Sequence, residues 1–521
     1  MEGLARALTW ISGRPRAAAF VLGILAATGF QPLGLWPLAL LAVGFLALLA
    51  ERAPGWRQAA LLGWLFGLGH FTLGNWWIAT AFTYQAKMPP ALGWVAVPLI
   101  SLYLAVYPAL AAAGARALAG RVALPLAFAG CWIVAEWLRS WVFTGYSWNP
   151  LGVVLLGPFD RPGLAAVAPW MGTYALSGLA VLVGCGLVVA LARCRWIPAL
   201  LAGILLTIGI YLPAGPGEQG TERFTLVQPD VRQEQIDDPR TWEATYQRTA
   251  ALSQPLELGA ERLVLWPESG VPDYLEEGYP ERYYRSTTAF ADPALARRRI
   301  GRAIGEGSTL LTGAVNLEIE GGRAVGAYNS VTALDAGGEI VGSYAKAHLV
   351  PYGEYLALRW LLEPLGATRL VPGALDFLPG PGPRTLDLGS HGEVGVQICY
   401  EIIFSGQVAD RSNRPDFIFN PSNDGWFGPS GPPQHLAQAR LRAVEEGLPV
   451  LRATTTGISA VIDARGVVRE HVPRLEAGRI DGMIPPSREP TLFARLGNWL
   501  ALAWALAFLF VGSVVMRRRR G

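Results

Sequence analysis

The sequence predicts a multi-pass helical membrane domain joined to a water-facing α/β domain. The composition is 52% hydrophobic and only 16% charged, whereas soluble domains carry about 25% charged residues. Long apolar runs fill the N-terminal part of the chain, and short strand-like runs separated by turns follow them. The chain is therefore too apolar for an ordinary soluble protein, and we expect part of it to lie in lipid.

The apolar runs predict eight membrane helices, since a helix needs about 20 apolar residues to cross the hydrocarbon core. Seven lie near residues 17–31, 34–50, 58–81, 90–113, 122–138, 165–192 and 196–213, and the eighth covers 496–516. The first run follows several arginines, as a secretory signal does, but the further spans favour an uncleaved helix. We expect a seven-helix transmembrane domain over 1–213, a water-facing domain over 214–491, and a C-terminal helix with a basic tail over 492–521.

The arginines predict the orientation, because cytoplasmic loops retain Lys and Arg near helix ends. The side that holds the N-terminus carries more of them: Arg52, Arg57, Arg116, Arg121, Arg193, Arg195 and the run Arg517 to Arg520. The opposite side carries only Lys87, Arg139 and Arg161 in its short loops. We therefore expect both termini to be cytoplasmic and the 214–491 domain to face the periplasm from a bacterial inner membrane.

The net charge and the residues able to bind metals exclude some classes of function. The net charge of +3 is scattered and gives no basic surface for nucleic acid. The five histidines and four cysteines form no HExxH or paired CxxC motif, so we expect neither a metal nor another cofactor.

Cys399 is the only cysteine of the water-facing domain, and it ends the strand-like run EVGVQICYE. A cysteine at a strand end is by itself more often a small core residue than a nucleophile. It has no disulfide partner in a compartment that favours disulfides. An unpaired exported thiol is expected to be either buried or used.

Two more strand-like runs end in polar clusters. ERLVLWPESG has a proline turn before Glu268, and YAKAHLVPYGEY carries Lys346, His348 and Glu354. Only two of the 43 basic residues are lysines, so a purely solvated role would predict arginine in place of Lys346. A lysine ammonium is a compact donor suited to a single oxygen.

Glu, Lys and Cys at separate strand ends form a coherent set for acyl transfer. A carboxylate can remove the thiol proton, and an ammonium favours the thiolate. The ammonium and the backbone N–H that follows the cysteine can stabilise the negative charge that develops on the carbonyl oxygen. The carboxylic acid can then return its proton to the leaving group.

WPES, YAKAHLVPYGEY and ICYE resemble, in this order, the Glu, Lys and Cys motifs of the nitrilase superfamily. The resemblance implies an α-β-β-α sandwich. It also implies Glu268 as general base and acid, Lys346 as oxyanion stabiliser and Cys399 as nucleophile. It further implies that Glu354 orients Lys346 and that Tyr400 and Glu401 support the nucleophile.

The chain also contains the segments EWLRSWVFTGYSWNPLG and NPSNDGWFG, and its predicted membrane helices flank the water-facing domain. With these features and the three motifs, it resembles the apolipoprotein N-acyltransferase family over almost its whole length. The resemblance implies that an acyl chain passes from a phospholipid, usually phosphatidylethanolamine, to a cysteine thioester. From there it passes to the α-amino group of the S-diacylglyceryl cysteine that begins a lipoprotein. The implied kinetics are ping-pong, with no cofactor or metal.

Several residues keep open interpretations. Where the family often has a tryptophan, this chain has Ile236 and Asp237, and Trp242 lies further along, so we assign no role there. His348 is predicted to be structural. Glu136 and Arg139 lie three residues apart at a helix end and are predicted either to form a local ion pair or to contact lipid headgroups. The apolar segment 356–379 is predicted either to face lipid or to pack within the domain. The loop 423–433 is predicted to be either a lid or a surface loop.

Two other functions compete. A membrane-tethered nitrilase-type amidase would resolve the same thioester with water and release ammonia from small amides. A transporter or receptor would only bind ligand, and the scarcity of ionisable residues in the membrane helices argues against transport.

Overall fold

The computed structural model describes residues 13–84, 89–119, 123–257, 259–365 and 375–518. Lys87, Arg121, Arg519, Arg520 and residues 366–374 of the predicted lipid-facing segment lie outside these ranges. The N-terminal part is helical, and its helices are α1 (Pro15–Ala27), α2 (Trp36–Arg52), α3 (Trp56–Gly74), α4 (Ile78–Ala81), α5 (Leu92–Leu104), α6 (Val106–Leu118), α7 (Leu124–Arg139), α8 (Thr173–Ala192) and α9 (Trp196–Tyr211).

The remaining helices are α10 (Gln233–Ile236), α11 (Trp242–Leu252), α12 (Glu281–Thr287), α13 (Pro293–Ile304), α14 (Arg359–Leu362), α15 (Gly431–Glu446), α16 (Leu492–Leu496) and α17 (Asn498–Arg517). By length and composition, three helical stretches of the described chain are able to cross a membrane, namely 92–118, α8 and α17. Helices α1 and α9 are shorter apolar helices. Helices lie at all eight predicted places, although the domain limits at 213/214 and 491/492 stay predictions.

The prediction of one helix over 165–192 is wrong in its first turns. Residues Gly163–Trp170 form a 3-10 helix, and α8 begins only at Thr173. Gly172 separates the two with φ of 76°, and a Cβ there would lie 2.4 Å from the ring of Phe493. The apolar composition of this stretch hid the break, since hydropathy does not distinguish an α-helix from a 3-10 turn.

Small residues let two membrane helices pack backbone to backbone. A Cβ on Gly44 of α2 would lie 2.2 Å from the carbonyl oxygen of Gly184 on α8, and a Cβ on Gly184 would lie 2.2 Å from the carbonyl oxygen of Leu40. The two helix backbones therefore lie too close together for a side chain at either position, and such close van der Waals packing stabilises helix association in lipid.

The described residues of the following part of the chain contain twelve strands, β1 (Arg223–Gln228), β2 (Leu263–Leu265), β3 (Thr309–Glu320), β4 (Arg323–Asp335), β5 (Ile340–Ala345), β6 (Thr385–Asp387), β7 (Glu393–Val396), β8 (Phe417–Ser422), β9 (Val450–Thr454), β10 (Ser459–Ile462), β11 (Val468–Val472) and β12 (Gly478–Met483). They form two six-stranded sheets with the orders β12-β1-β2-β3-β4-β5 and β11-β10-β9-β8-β7-β6.

The two sheets pack face to face, and helices cover their outer faces. The core between them joins residues such as Leu265 and Val331 of the first sheet to Val396 and Phe419 of the second. Helix α13 packs on the outer face of the first sheet, and α15 packs on that of the second. The predicted α-β-β-α sandwich is confirmed.

Helix α15 fastens the sandwich to the membrane domain through buried polar side chains. Arg440 donates to the carbonyl oxygens of Gly157 at 2.9 Å, Pro158 at 2.8 Å and Arg161 at 2.6 Å, and also to that of Gly466 at 2.7 Å. One guanidinium therefore satisfies three carbonyls of the loop before α8 and one of the sandwich.

We expect Arg440→Met to destabilise the protein, because it leaves four buried carbonyl groups without their donor. Each lost buried hydrogen bond costs about 1 kcal/mol or more, so the midpoint of thermal unfolding in detergent should fall by roughly 5–10 °C. The matched control is Arg240→Met, whose side chain is 89% exposed and whose midpoint should stay within about 1 °C of the wild type. Equal midpoints for the two variants would contradict this role of Arg440.

Candidate active site

Cys399 lies just beyond the end of β7, with φ of 51°, a left-handed backbone conformation that is uncommon for a side-chain-bearing residue. The residue is 5% exposed and packs in the core between the sheets. Burial raises the pKa of its thiol well above the ordinary value, and the charge of Glu268 adds to this, while Lys346 opposes it. The thiol is therefore protonated at neutral pH and needs a base before it can attack.

Glu268 and Lys346 meet because β2 and β5 run in the same direction within the first sheet, as their pairings with β3 and β4 require. Pro267 turns the chain after β2, and Lys346 directly follows β5. The Lys346 Nζ lies 3.5 Å from Oε1 of Glu268 and 3.0 Å from Oε1 of Glu354. All three residues are buried.

The charge state of Lys346 follows from its neighbours. Burial alone would lower the pKa of its ammonium group, but Glu354, Glu268 and Cys399 raise it above the ordinary value. Lys346 is therefore a permanent cation within this cluster.

Two asparagines that the sequence motifs did not identify as site residues fix Glu268. The Asn329 Nδ2 donates to Oε1 of Glu268 at 2.7 Å and to Oε1 of Glu354 at 2.8 Å. The backbone N–H of Asn423 donates to Oε2 of Glu268 at 2.7 Å. Asn329 lies inside β4 with no local motif around it, whereas Asn423 belongs to the noted NPSNDGWFG run.

Glu401 links the lysine segment to the cysteine segment. Its Oε1 accepts from the Tyr344 hydroxyl at 2.9 Å and from the N–H groups of Ala347 at 2.8 Å and His348 at 3.2 Å. Its Oε2 accepts from the N–H of Ile398 at 2.8 Å. Burial raises the pKa of this carboxyl to about 7, and these donors partly offset the effect.

Tyr400 connects the Cys399 segment to the membrane domain, since its hydroxyl donates to the carbonyl oxygen of Gly145 at 3.2 Å. Gly145 belongs to the segment after α7 that the sequence singled out. The supporting roles of Glu354, Tyr400 and Glu401 stay predictions, and all three side chains are buried.

His348, Glu136 and Arg139, which the sequence also singled out, contact residues outside the Glu268, Lys346 and Cys399 cluster. The His348 ring stacks on Phe404 with 4.4 Å between centroids, which agrees with a structural role. Glu136 accepts from the backbone N–H of Leu151 at 2.8 Å, and Arg139 donates to the carbonyl oxygen of Trp148 at 2.7 Å. Both residues thus hold the segment after α7 rather than forming the predicted local ion pair.

The segments 356–379 and 423–433, whose roles the sequence left open, differ in the structure. In the first, Trp360 is 76% exposed and Leu361 is 45% exposed, so its described part presents apolar side chains outward. In the second, Asn423 and Asp424 are buried, and the Phe427 ring lies 4.6 Å from that of Trp77 in the membrane domain. The second loop is therefore packed between the two domains and is not a simple surface loop.

Within the described ranges, no cluster of three or more His, Cys, Asp or Glu side chains could hold a metal ion. Trp242 donates its indole N–H to the carbonyl oxygen of Ile236 at 2.9 Å, which ties α11 to the preceding turn. This contact gives Trp242 a local structural role.

The sandwich and the Glu-Lys-Cys cluster define a nitrilase-type protein, and residues 226–488 match the carbon-nitrogen hydrolase family. Residues 22–186 match the apolipoprotein N-acyltransferase N-terminal domain. The apolipoprotein N-acyltransferase of Rhodopseudomonas palustris is 34% identical over 98% of this chain and 96% of its own. That of Vibrio vulnificus is 32% identical over 94% of this chain and 96% of its own. The chain belongs to the apolipoprotein N-acyltransferase family.

Solved structures of nitrilase-type proteins also resemble the sandwich. An amidase from Nesterenkonia sp. with an acetamide moiety on its active-site cysteine is 18% identical, with a TM-score of 0.34, over 56% of this chain and 96% of its own. Nit3 from Saccharomyces cerevisiae is 19% identical, with a TM-score of 0.36, over 52% of this chain and 93% of its own. The fold assignment itself follows from the sheet orders and the family match.

We expect Asn329→Leu to slow alkylation of Cys399 by iodoacetamide about tenfold at pH 7, because Glu268 loses a donor that orients it toward the thiol. The measurement is the alkylation rate of the purified protein followed by intact mass. The matched control is Asn316→Leu on β3, whose amide makes only a 3.4 Å contact to Glu276. Equal rates in the two variants would rule out the orienting role.

Proposed function

We propose that this protein moves an acyl chain from a phospholipid, through a thioester on Cys399, to the α-amino group of the S-diacylglyceryl cysteine that begins a lipoprotein. The observation that carries the proposal is the buried cluster of Glu268, Lys346 and the Cys399 thiol, joined to the membrane domain through Tyr400. The relatives named apolipoprotein N-acyltransferase support the same reaction.

In the first half-reaction, Glu268 accepts the proton of the Cys399 thiol as sulfur attacks the ester carbonyl carbon of the phospholipid. The oxyanion that forms is held by the Lys346 ammonium and by the backbone N–H of Tyr400. When this intermediate collapses, the ester C–O bond breaks. The departing lysophospholipid oxygen then takes the proton from Glu268.

In the second half-reaction, the free amine of the lipoprotein attacks the thioester carbonyl, and Glu268 accepts a proton from the attacking nitrogen. The C–S bond breaks as the amide forms. The proton then returns from Glu268 to the Cys399 thiolate. No proton is gained or lost by the enzyme over the full cycle.

Lipid-anchored substrates fit this architecture. Extraction of an acyl chain into water costs about 0.8 kcal/mol per CH₂, which an enzyme joined to a membrane domain avoids. The exposed Trp360 and Leu361 follow the Glu354 segment in sequence and support a lipid-facing approach to the site. We propose phosphatidylethanolamine as the usual donor.

We further propose that both termini are cytoplasmic and that the sandwich faces the periplasm. The free, exposed Cys194 between α8 and α9 then lies on the cytoplasmic side. A membrane-impermeant maleimide should label it in inverted inner-membrane vesicles and not in intact spheroplasts. The control is Arg240→Cys in a Cys194→Ser background, which should be labelled in spheroplasts. The reverse pattern would invert the orientation.

The proposed roles of Glu268, Lys346 and Cys399 are tested by measuring the intact mass of the purified protein after incubation with phosphatidylethanolamine. Wild type and Cys194→Ser should gain one acyl chain that hydroxylamine removes, whereas Cys399→Ser should gain none. Glu268→Gln and Lys346→Arg should form the thioester about 100-fold to 1,000-fold more slowly. Normal rates in either variant would overturn the assigned role.

Burial is the main cause of the raised pKa of the Cys399 thiol, and because burial remains in Glu268→Gln, this variant has a pH signature. Without Glu268, only the spontaneously ionised fraction reacts, and below the thiol pKa that fraction grows with pH. Thioester formation by Glu268→Gln should therefore rise about tenfold per pH unit between pH 7 and 9, more steeply than in wild type.

The amidase alternative has its own test. Release of ammonia from a short amide in the absence of lipid would favour that alternative over acyl transfer.

A further inference from the structure

A second buried polar cluster lies directly behind Cys399, and the proposed mechanism does not use it. The His435 Nε2 lies 3.0 Å from the carbonyl oxygen of Cys399. Its Nδ1 lies 3.0 Å from Oδ1 of Asp424 and 3.0 Å from Nη2 of Arg452. Arg452 also donates to Asp424 at 2.7 Å. The side chains of His435, Asp424 and Arg452 are all fully buried.

The proton on Nε2 of His435 follows from its partner. A carbonyl oxygen can only accept a hydrogen bond, so Nε2 must carry the hydrogen. Burial and the Arg452 charge lower the pKa of the imidazole, while the contact with Asp424 raises it. Nδ1 faces both the Arg452 guanidinium, a donor, and the Asp424 carboxylate, an acceptor. Asp424 balances the Arg452 charge, and its own pKa is lowered by Arg452 despite burial. In both the neutral and the protonated ring, Nε2 carries the hydrogen and donates it to the carbonyl oxygen of Cys399.

The carbonyl that His435 holds belongs to the same peptide unit as the N–H of Tyr400. A peptide unit is planar and trans, so fixing its C=O also fixes the direction of its N–H. A hydrogen bond to the C=O further polarises the unit and strengthens the N–H as a donor. Cys399 itself has a positive φ, a backbone conformation that is uncommon for a residue with a side chain.

We propose that His435 is a positioning residue that orients and polarises the Cys399–Tyr400 peptide so that its N–H meets the oxyanion. This inference rests on the proposed thioester chemistry. His435 acts through the peptide and does not touch the reacting atoms.

The membrane domain contributes to the placement of His435. The ring of Trp148, from the segment after α7, lies 5.3 Å from the imidazole. Trp148 is itself held, because its indole N–H donates to Gln434 at 2.8 Å and its carbonyl oxygen accepts from Arg139 at 2.7 Å. The orientation of the oxyanion donor is thus coupled to a segment that leaves a membrane helix.

The test compares His435→Met with His435→Gln. The two side chains have similar length and shape, but only glutamine carries a donor at the position of Nε2. Two rates are measured for each variant. One is thioester formation with phosphatidylethanolamine, which develops an oxyanion, and the other is alkylation of Cys399 by iodoacetamide, which does not.

We expect His435→Met to form the thioester about tenfold to 100-fold more slowly than wild type, with alkylation within about threefold of wild type. His435→Gln should recover most of the thioester rate. Gln438→Met, one turn along α15, serves as the packing control and should react as wild type. If His435→Met cannot be purified folded, His435→Phe replaces it, since phenylalanine lacks the donor but keeps a ring beside Trp148.

Three outcomes overturn the inference. The first is thioester formation by the donor-free variant at the wild-type rate, the second is alkylation that slows in parallel with thioester formation, and the third is failure of glutamine to restore the rate. In each case wild type still forms the thioester, so the proposed function stands. Absence of the thioester in wild type itself would remove both proposals.

Discussion

The site depends on one buried ammonium held between two buried carboxylates. An unpaired charge at such depth would be unstable, so Lys346 needs both Glu268 and Glu354, and these need their donors in turn. With both carboxylates ionised and Cys399 protonated, the triad and Glu354 carry one net negative charge. Transfer of the thiol proton to Glu268 moves that charge to sulfur without changing the total. A low-polarity site can therefore generate a thiolate with no further charge buried.

The residues of the site could be predicted from the sequence only where they stand in a recognisable local pattern. Glu268, Lys346 and Cys399 end strand-like runs, and the scarcity of lysine singled out Lys346. Asn329 lies within a long strand, and its importance arises only because β4 lies between the strands that carry the cluster. His435 approaches Cys399 from a helix outside the second sheet. Such contacts come from the stacking of layers, which no sequence period records.

The burial of helix α15 could not be predicted from its composition either. Its sequence, GPPQHLAQARLRAVEE, has the polarity of a solvent-facing helix, yet nearly all of it is buried. Its arginines satisfy carbonyl groups of loops in both domains, so polar side chains provide what apolar packing usually provides. The membrane helices were located from hydropathy alone, whereas this polar contact between the domains required coordinates.

Burial of Cys399 also bears on why acyl transfer would prevail over hydrolysis. Cys399 and Glu268 are only 5% and 7% exposed, so bulk water has restricted access to a thioester formed there, and restricting water suppresses that side reaction. A substrate carbonyl reaches the sulfur only after neighbouring residues move. A lipid-anchored ester or amine has binding energy along its acyl chains to drive that movement, and a water molecule has none. Selectivity for transfer then lies in access to the cluster, since the same three groups would serve hydrolysis equally well.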